Sequence, residues 1–170
     1  MSKILSNSLI AFKYALPTLL CTTLILLNSI TFSFVPFYRT PILFVLSIIF
    51  YFAVFRPIVL NVVLVFLLGI FADLLSGSLF GLQAFFFVLM FFVANLNRRF
   101  ILTLNFFDSW LIFSLILGVL QLLWWLSFSL LNLMTPPFMP ILFQYVVLVL
   151  TYPFFIRLCG WIDMKIGRLK

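Results

Sequence analysis

Long apolar runs make up most of the chain, and short groups of proline, glycine and charged residues separate them. Apolar runs of this length predict helices, and the prolines and charges mark where each helix ends. A helix needs about 20 predominantly apolar residues to cross the hydrocarbon core of a bilayer. The pattern therefore predicts an all-α integral membrane protein, with six transmembrane helices in a compact bundle that forms one domain over residues 1–170. The predicted helices cover residues 14–35, 42–55, 58–74, 80–97, 107–131 and 141–157.

The second predicted helix is short for a transmembrane span. Residues 42–55 reach about 21 Å at 1.5 Å per residue, whereas the hydrocarbon core is about 30 Å thick. The helix crosses if Arg56 extends its guanidinium to the interface or if the bilayer thins locally. The alternative is that residues 41–72 form one long span kinked at proline, which leaves five helices.

The distribution of basic residues separates the two arrangements. Six spans with the N-terminus inside place nine basic residues on the cytoplasmic side and only Arg39 outside. Five spans would bury Arg56 near the middle of the membrane. Because cytoplasmic loops carry the excess of Lys and Arg, we expect six spans with both termini cytoplasmic. The nine residues are Lys3, Lys13, Arg56, Arg98, Arg99, Arg157, Lys165, Arg168 and Lys170.

The composition leaves little material for catalysis. Of the 170 residues, 66% are hydrophobic and 8% are charged, with no histidine and three acidic residues. The predicted topology places Asp73 near the outer surface and Asp108 and Asp163 near the inner one. Acid–base catalysis needs groups close to the reacting atoms, and a metal site needs clustered ligands. We therefore expect no enzymatic activity, no catalytic or metal-binding residues and no cofactor.

Both cysteines, Cys21 and Cys159, fall in the cytoplasmic half of the predicted bundle. Disulfides are rare in that compartment, so we expect two small apolar side chains rather than a bridge.

The C-terminal segment 158–170 alternates apolar and basic residues at helical spacing. This pattern is typical of a basic amphipathic helix that lies on the cytoplasmic leaflet of the lipid bilayer. A docking site for a cytoplasmic protein is the alternative.

The stretch "GIFADLLSGSLFGLQAF", residues 69–85, concentrates polar and flexible residues between two apolar helices. Gly77 and Gly81 predict the turn between the third and fourth helices, because glycine supplies backbone freedom there. Ser76 or Ser78 is expected to cap the fourth helix, and Asp73 lies one turn before the loop. The stretch therefore predicts a tight outer hairpin.

Two ion pairs follow from the cost of an unsatisfied carboxylate near a membrane. Asp73 and Arg39 are the only charges on the predicted outer side and are expected to pair or share a polar network. Asp108, at the start of the fifth predicted helix, is expected to meet Arg98, Arg99 or Arg56. The candidate structural and partner-binding residues are Asp73, Gly77, Gly81, Arg39, Arg56, Pro57, Arg98, Arg99 and Asp108.

Three segments together resemble a known family. They are "YFAVFRP" (51–57), "FLLGIFADLLSGSLFGLQAF" (66–85) and "NRRF" (97–100). Their order, in a chain of 170 residues with six predicted spans, resembles the rod shape-determining membrane protein family MreD in its alphaproteobacterial form. The core D-L-L-S-G-x-x-x-G-L is the most specific element of the resemblance.

The resemblance implies a non-enzymatic scaffold or regulator of the bacterial elongation complex in the inner membrane. Such a protein binds MreC and, through it, acts with MreB, RodA and a class B penicillin-binding protein in cell shape and peptidoglycan synthesis. It implies no nucleic-acid partner. It also implies a fold similar to the substrate-binding membrane subunit of energy-coupling-factor transporters. The alternative function is therefore that of such a vitamin-binding subunit.

Overall fold

The structure, a computed structural model, describes residues 17–27, 44–57, 59–76, 81–132 and 138–167. The side chains of residues 128, 131–132 and 162–167 are not among those described. Over these ranges the protein is all-α and contains no strand. The helices are α1 (Pro17–Leu27), α2 (Val45–Phe55), α3 (Val62–Ser76), α4 (Leu82–Leu96), α5 (Arg98–Ile101), α6 (Phe106–Asn132) and α7 (Phe138–Gly167).

Two of the described helices are long and apolar enough to cross a membrane. The qualifying stretches are Phe106–Ser127 in α6 and Phe138–Trp161 in α7, of 22 and 24 residues. The other apolar helices, α1 to α4, have 10–17 residues. At 1.5 Å per residue, α2 with 11 residues is about 16 Å long, and α3 and α4 with 15 residues are about 22 Å long.

The short helix α2 lies at the centre of the described part of the protein. Every residue from Val45 to Val54 is buried, and the helix packs against α4 and α7. Its sequence is apolar on all sides, which is the pattern of a helix enclosed by protein. The ring of Phe50 lies in this centre. Its centroid is 5.1 Å from the ring centroid of Phe113 in α6 and 5.9 Å from that of Tyr152 in α7. Neighbouring helices therefore enclose α2 along almost its whole length.

The helix is interrupted between α2 and α3. The structure ends α2 at Phe55 and begins α3 at Val62. Pro57 follows directly after the C-cap residue Arg56. Proline lacks the backbone N–H that a continuing helix requires. The prediction that α2 stops at Arg56-Pro57 is confirmed.

Two other helix predictions differ from the structure. A separate turn of helix, α5, follows the end of α4 at Leu96 and was not predicted. The last helix runs from Phe138 to Gly167, whereas the sequence predicted a helix over 141–157 and a distinct tail over 158–170. Pro140 occupies the first turn of α7, where the missing N–H costs no hydrogen bond. Residues 158–167 therefore continue α7.

Candidate functional site

The carboxylate of Asp73 is the most unusual polar group in the described structure. Asp73 lies near the end of α3 and is 1% exposed. Its Oδ2 accepts hydrogen bonds from the backbone N–H groups of Gly81 and Ala84, at 3.0 and 3.3 Å. Its Oδ1 accepts a hydrogen bond from the N–H of Gln83 at 3.0 Å. Backbone amides at the start of α4 thus hold the charge in place of water.

This arrangement is an N-terminal cap supplied by a neighbouring helix. The first N–H groups of a helix have no partner within it, and the helix dipole favours negative charge there. A capping side chain ordinarily comes from the residue just before the helix. That position is Gly81, which has no side chain and adopts a left-handed backbone with φ of 90°. Asp73 supplies the missing acceptor.

A close approach of two backbones brings Asp73 within reach of α4. Gly69 lies one turn before Asp73 on the same face of α3, and a methyl group added to it would overlap the backbone of Ala84. Side chains four residues apart share a helix face, so Gly69 and Asp73 both face α4. Gly69 permits the contact that places the carboxylate over the amides.

The serine cap predicted for α4 is wrong for Ser76. Its hydroxyl donates to the carbonyl of Ala72 within α3 at 2.6 Å, and it accepts from Nε2 of Gln83 at 2.9 Å. Serine in a helix commonly bonds back to the preceding turn. Gly81 lies where the hairpin was predicted to turn. Gly77 and Ser78 lie outside the described residues, as does Arg39, so the pairing of Asp73 with Arg39 stays a prediction.

A small pocket lies beside this hairpin, between α2, α4, α6 and α7. Three glutamine side chains, from Gln83, Gln121 and Gln144, line it together with apolar groups. The cavity has a volume of about 30 Å³, which is room for about two waters. The apolar lining is formed by Leu46, Phe86, Leu117, Leu120 and Trp124.

The opposite end of the bundle carries the described basic side chains. The Nε of Arg98 in α5 donates to the carbonyl oxygen of Val54 near the end of α2, at 2.7 Å. This bond places the C-terminal ends of α2 and α4 side by side, with Arg56 at the C-cap of α2. Arg56 and Arg99 are exposed. A cation at this position compensates the negative end of the α2 dipole.

The predicted pairing of Asp108 with an arginine is wrong within the described residues. Asp108 is exposed in the first turn of α6, and it forms no ion pair with Arg56, Arg98 or Arg99. Its carboxylate reaches solvent and lies at a helix N-terminus, where negative charge is already favoured. The hydrogen bond to Val54 directs Arg98 toward α2 instead.

A row of polar contacts between α6 and α7 was missed at the level of sequence. Trp110 Nε1 donates to the carbonyl of Val149 at 2.9 Å. The hydroxyls of Ser114 and Tyr145 share a hydrogen bond of 2.5 Å. Gln121 Nε2 donates to the carbonyl of Ile141 at 3.2 Å. The residue numbers of the two partners add to a nearly constant value in each pair, which is typical of two antiparallel helices.

The antiparallel arrangement fixes which charges share an end. Because α7 runs opposite to α6, Arg157 lies level with the residues just before α6 begins. Arg56, Arg98, Arg99 and Arg157 therefore lie at one end of the bundle, and the Asp73 hairpin lies at the other.

The described residues contain no group of three or more His, Cys, Asp or Glu side chains placed to hold a metal ion. Cys21 and Cys159 are buried free thiols. No family model, characterised protein or solved structure matches this chain. Inference about function therefore starts from the geometry above and from the sequence.

Proposed function

We propose that the chain is a non-enzymatic membrane scaffold of the MreD type, which binds MreC and supports cell shape and lateral peptidoglycan synthesis in a bacterial elongation complex. The motif D-L-L-S-G-x-x-x-G-L, residues 73–82, carries the family resemblance. The same motif contains Asp73, Ser76 and Gly81, which build the outer hairpin.

The observation that carries the proposal is the engagement of both Asp73 oxygens by backbone amides. A general acid or base must exchange a proton with a bound substrate and therefore needs an approachable oxygen. A carboxylate that is 1% exposed and held by three N–H groups instead stabilises the hairpin. The most distinctive residue of the chain thus supports architecture rather than chemistry.

Placement as a six-span protein of the inner membrane, with both termini cytoplasmic, is part of the proposal. Its supports are the two long apolar helices α6 and α7 and the four shorter apolar helices. A further support is the collection of Arg56, Arg98, Arg99 and Arg157 at one end. An excess of Arg at one end agrees with a cytoplasmic orientation of that end.

The size of the amide-lined pocket favours the scaffold over a vitamin-binding subunit. Binding sites for small organic ligands commonly enclose about 300–1,000 Å³. Room for about two waters in this pocket is far below what a vitamin requires.

Co-purification tests the proposed function. The chain, tagged at its C-terminus, is co-expressed with MreC from the same genome and purified in a mild detergent. We expect MreC to elute in near-equal amount. A single-span membrane protein of unrelated function, expressed at the same level, is the control and should be washed away.

A vitamin panel supplies the opposing result. If MreC is washed away with the control, while one vitamin raises the thermal unfolding temperature of the purified chain at micromolar concentration, the scaffold proposal fails and the transporter subunit replaces it.

A further inference from the structure

The segment between α4 and α6, residues 97–107, carries both charged and large apolar side chains that are exposed. Arg99 is exposed, and so are Phe100 at 61%, Phe106 at 53% and Phe107 at 61%. We call residues 97–107 the basic shelf. Water solvates the arginines but not the phenyl rings, whereas hydrocarbon accepts the rings but not the charges. The boundary between headgroups and acyl chains accommodates both.

The shelf is an ordered part of the fold. Ile101 is 2% exposed and anchors the shelf in the core. Successive backbone hydrogen bonds follow, from Ile101 to Asn97 and from Thr103 to Phe100, at 3.0 and 3.1 Å. The Thr103 hydroxyl adds a bond of 2.7 Å to the carbonyl of Phe100. The backbone that carries the exposed rings and charges is therefore ordered.

Arg98 is oriented by its contact with α2. Its Nε donates to the carbonyl of Val54, and this is the only hydrogen bond that its side chain makes within the described residues. The two terminal nitrogens of the guanidinium form a planar fork that matches a phosphate group. Fixing the Nε reduces the conformational freedom that binding would otherwise remove.

We propose that the basic shelf binds an anionic phospholipid of the inner leaflet, with the phosphate at Arg98 and Arg99 and the acyl chains along Phe100 and Phe107. Arg56 adds a third positive charge at the same end, and among the described side chains only Asp108 opposes it with an exposed carboxylate. A zwitterionic lipid offers a phosphate too, but its own cation cancels the attraction to a basic surface. The preference for net negative charge follows from this difference.

Lipid titration with thermal unfolding as the readout tests the proposal. Protein in a neutral detergent receives dioctanoyl phosphatidylglycerol or, in a parallel arm, dioctanoyl phosphatidylcholine. We expect the unfolding temperature to rise with the anionic lipid at a several-fold lower concentration than with the zwitterionic one. Arg98→Gln and Arg99→Gln should each raise the half-effective concentration about fivefold, the factor expected for one basic residue near an anionic surface.

The matched control is Arg157→Gln, which removes the same charge at the same end but outside the shelf, and it should shift the titration much less than either shelf variant. Arg99 is exposed and makes no hydrogen bond within the described residues, so its variant preserves the fold even if the Arg98 variant does not. Equal responses to the two lipids, or an equal shift from Arg157→Gln, would overturn the proposal. A response to glycerol 3-phosphate at the same concentration as the lipid would also overturn it, because the phenyl rings would then contribute nothing.

This inference rests on the membrane placement in the proposed function, but not on MreC. Loss of lipid selectivity while MreC still co-purifies removes the shelf proposal alone. Lipid selectivity without MreC in the eluate removes the scaffold proposal alone.

Discussion

A carboxylate in apolar surroundings loses the hydration that stabilises its charge, and at Asp73 the amides of α4 replace that hydration. Three N–H groups surround the two oxygens at 3.0 to 3.3 Å. Hydrogen bonds to a charged group contribute about 1.5–3 kcal/mol each, and a buried donor left without its partner is costly. At the residue scale, this side chain joins the end of α3 to the start of α4.

Replacing Asp73 should therefore destabilise the protein strongly. Asp73→Ala leaves the N–H groups of Gly81, Gln83 and Ala84 without their acceptor, and we expect the free energy of unfolding to fall by about 3 kcal/mol or more. Asp73→Asn keeps one oxygen but directs an amino group at the other donors, so a loss of about 2 kcal/mol is expected. Denaturant unfolding in detergent measures both.

The control for this prediction is Asp108→Asn, which removes the same charge from an exposed position. Its effect should stay within about 0.5 kcal/mol, as for surface substitutions generally. A loss from the Asp108 variant equal to that from the Asp73 variants would show that net charge, rather than the cap, determines the stability.

At the scale of the element, pairs of helices differ in how they are joined. Helices α3 and α4 meet backbone to backbone through Gly69 and Ala84, a close approach that small residues permit. Helices α6 and α7 meet through side chains instead, with the hydroxyls of Ser114 and Tyr145 paired between them. The two hairpins should therefore respond differently to an added methyl group.

Gly69→Ala and Gly118→Ala provide a matched comparison of the two interfaces. The methyl group at Gly69 would overlap backbone that cannot yield without moving α4, and we expect a loss of about 1–3 kcal/mol, as for other overpacked positions. At Gly118 the methyl group would lie 3.5 Å from the ring of Tyr145. This is an ordinary contact, so the higher helix propensity of alanine should leave stability unchanged or raise it by up to about 1 kcal/mol.

Circular dichroism in denaturant titrations provides the measurement for both glycine variants. Equal stability of the two variants would contradict the close packing of α3 against α4.

The sequence predicted the positions of the helices better than it predicted the contacts between their side chains. Apolar runs and the Arg56-Pro57 pair located α2, α3, α4 and α6 to within a few residues, because hydrophobic patterning and proline act locally. They placed the end of α7 too early, at residue 157 instead of Gly167. The capping of α4 by Asp73 was not predictable, because it depends on the approach of Gly69 to Ala84 across the hairpin. Arg98 was predicted as one of three possible partners of Asp108, because charge alone cannot reveal that its Nε lies within hydrogen-bonding distance of the carbonyl of Val54.

At the scale of the whole molecule, the bundle has two unlike ends. Four arginines lie at one end, and the only buried carboxylate among the described residues lies at the other, where backbone amides neutralise its field. Both the scaffold and the lipid proposals require that the arginine end faces the cytoplasm. The short α2 fits this arrangement, because its neighbours rather than lipid cover its surface.

Both proposals depend on the orientation of the bundle in the membrane, and labelling of single cysteines measures that orientation. The two native thiols are removed by Cys21→Ala and Cys159→Ala. One reporter is Met139→Cys at the start of α7, where the native side chain is 72% exposed. The other is Asn105→Cys, at an exposed position just before α6.

Spheroplasts are treated with a maleimide that cannot cross membranes, before and after permeabilisation. We expect the reporter at 139 to react in intact spheroplasts and the reporter at 105 to react only after permeabilisation. Reaction of both reporters in intact spheroplasts, or the reverse pattern, would show that the arginine end does not face the cytoplasm.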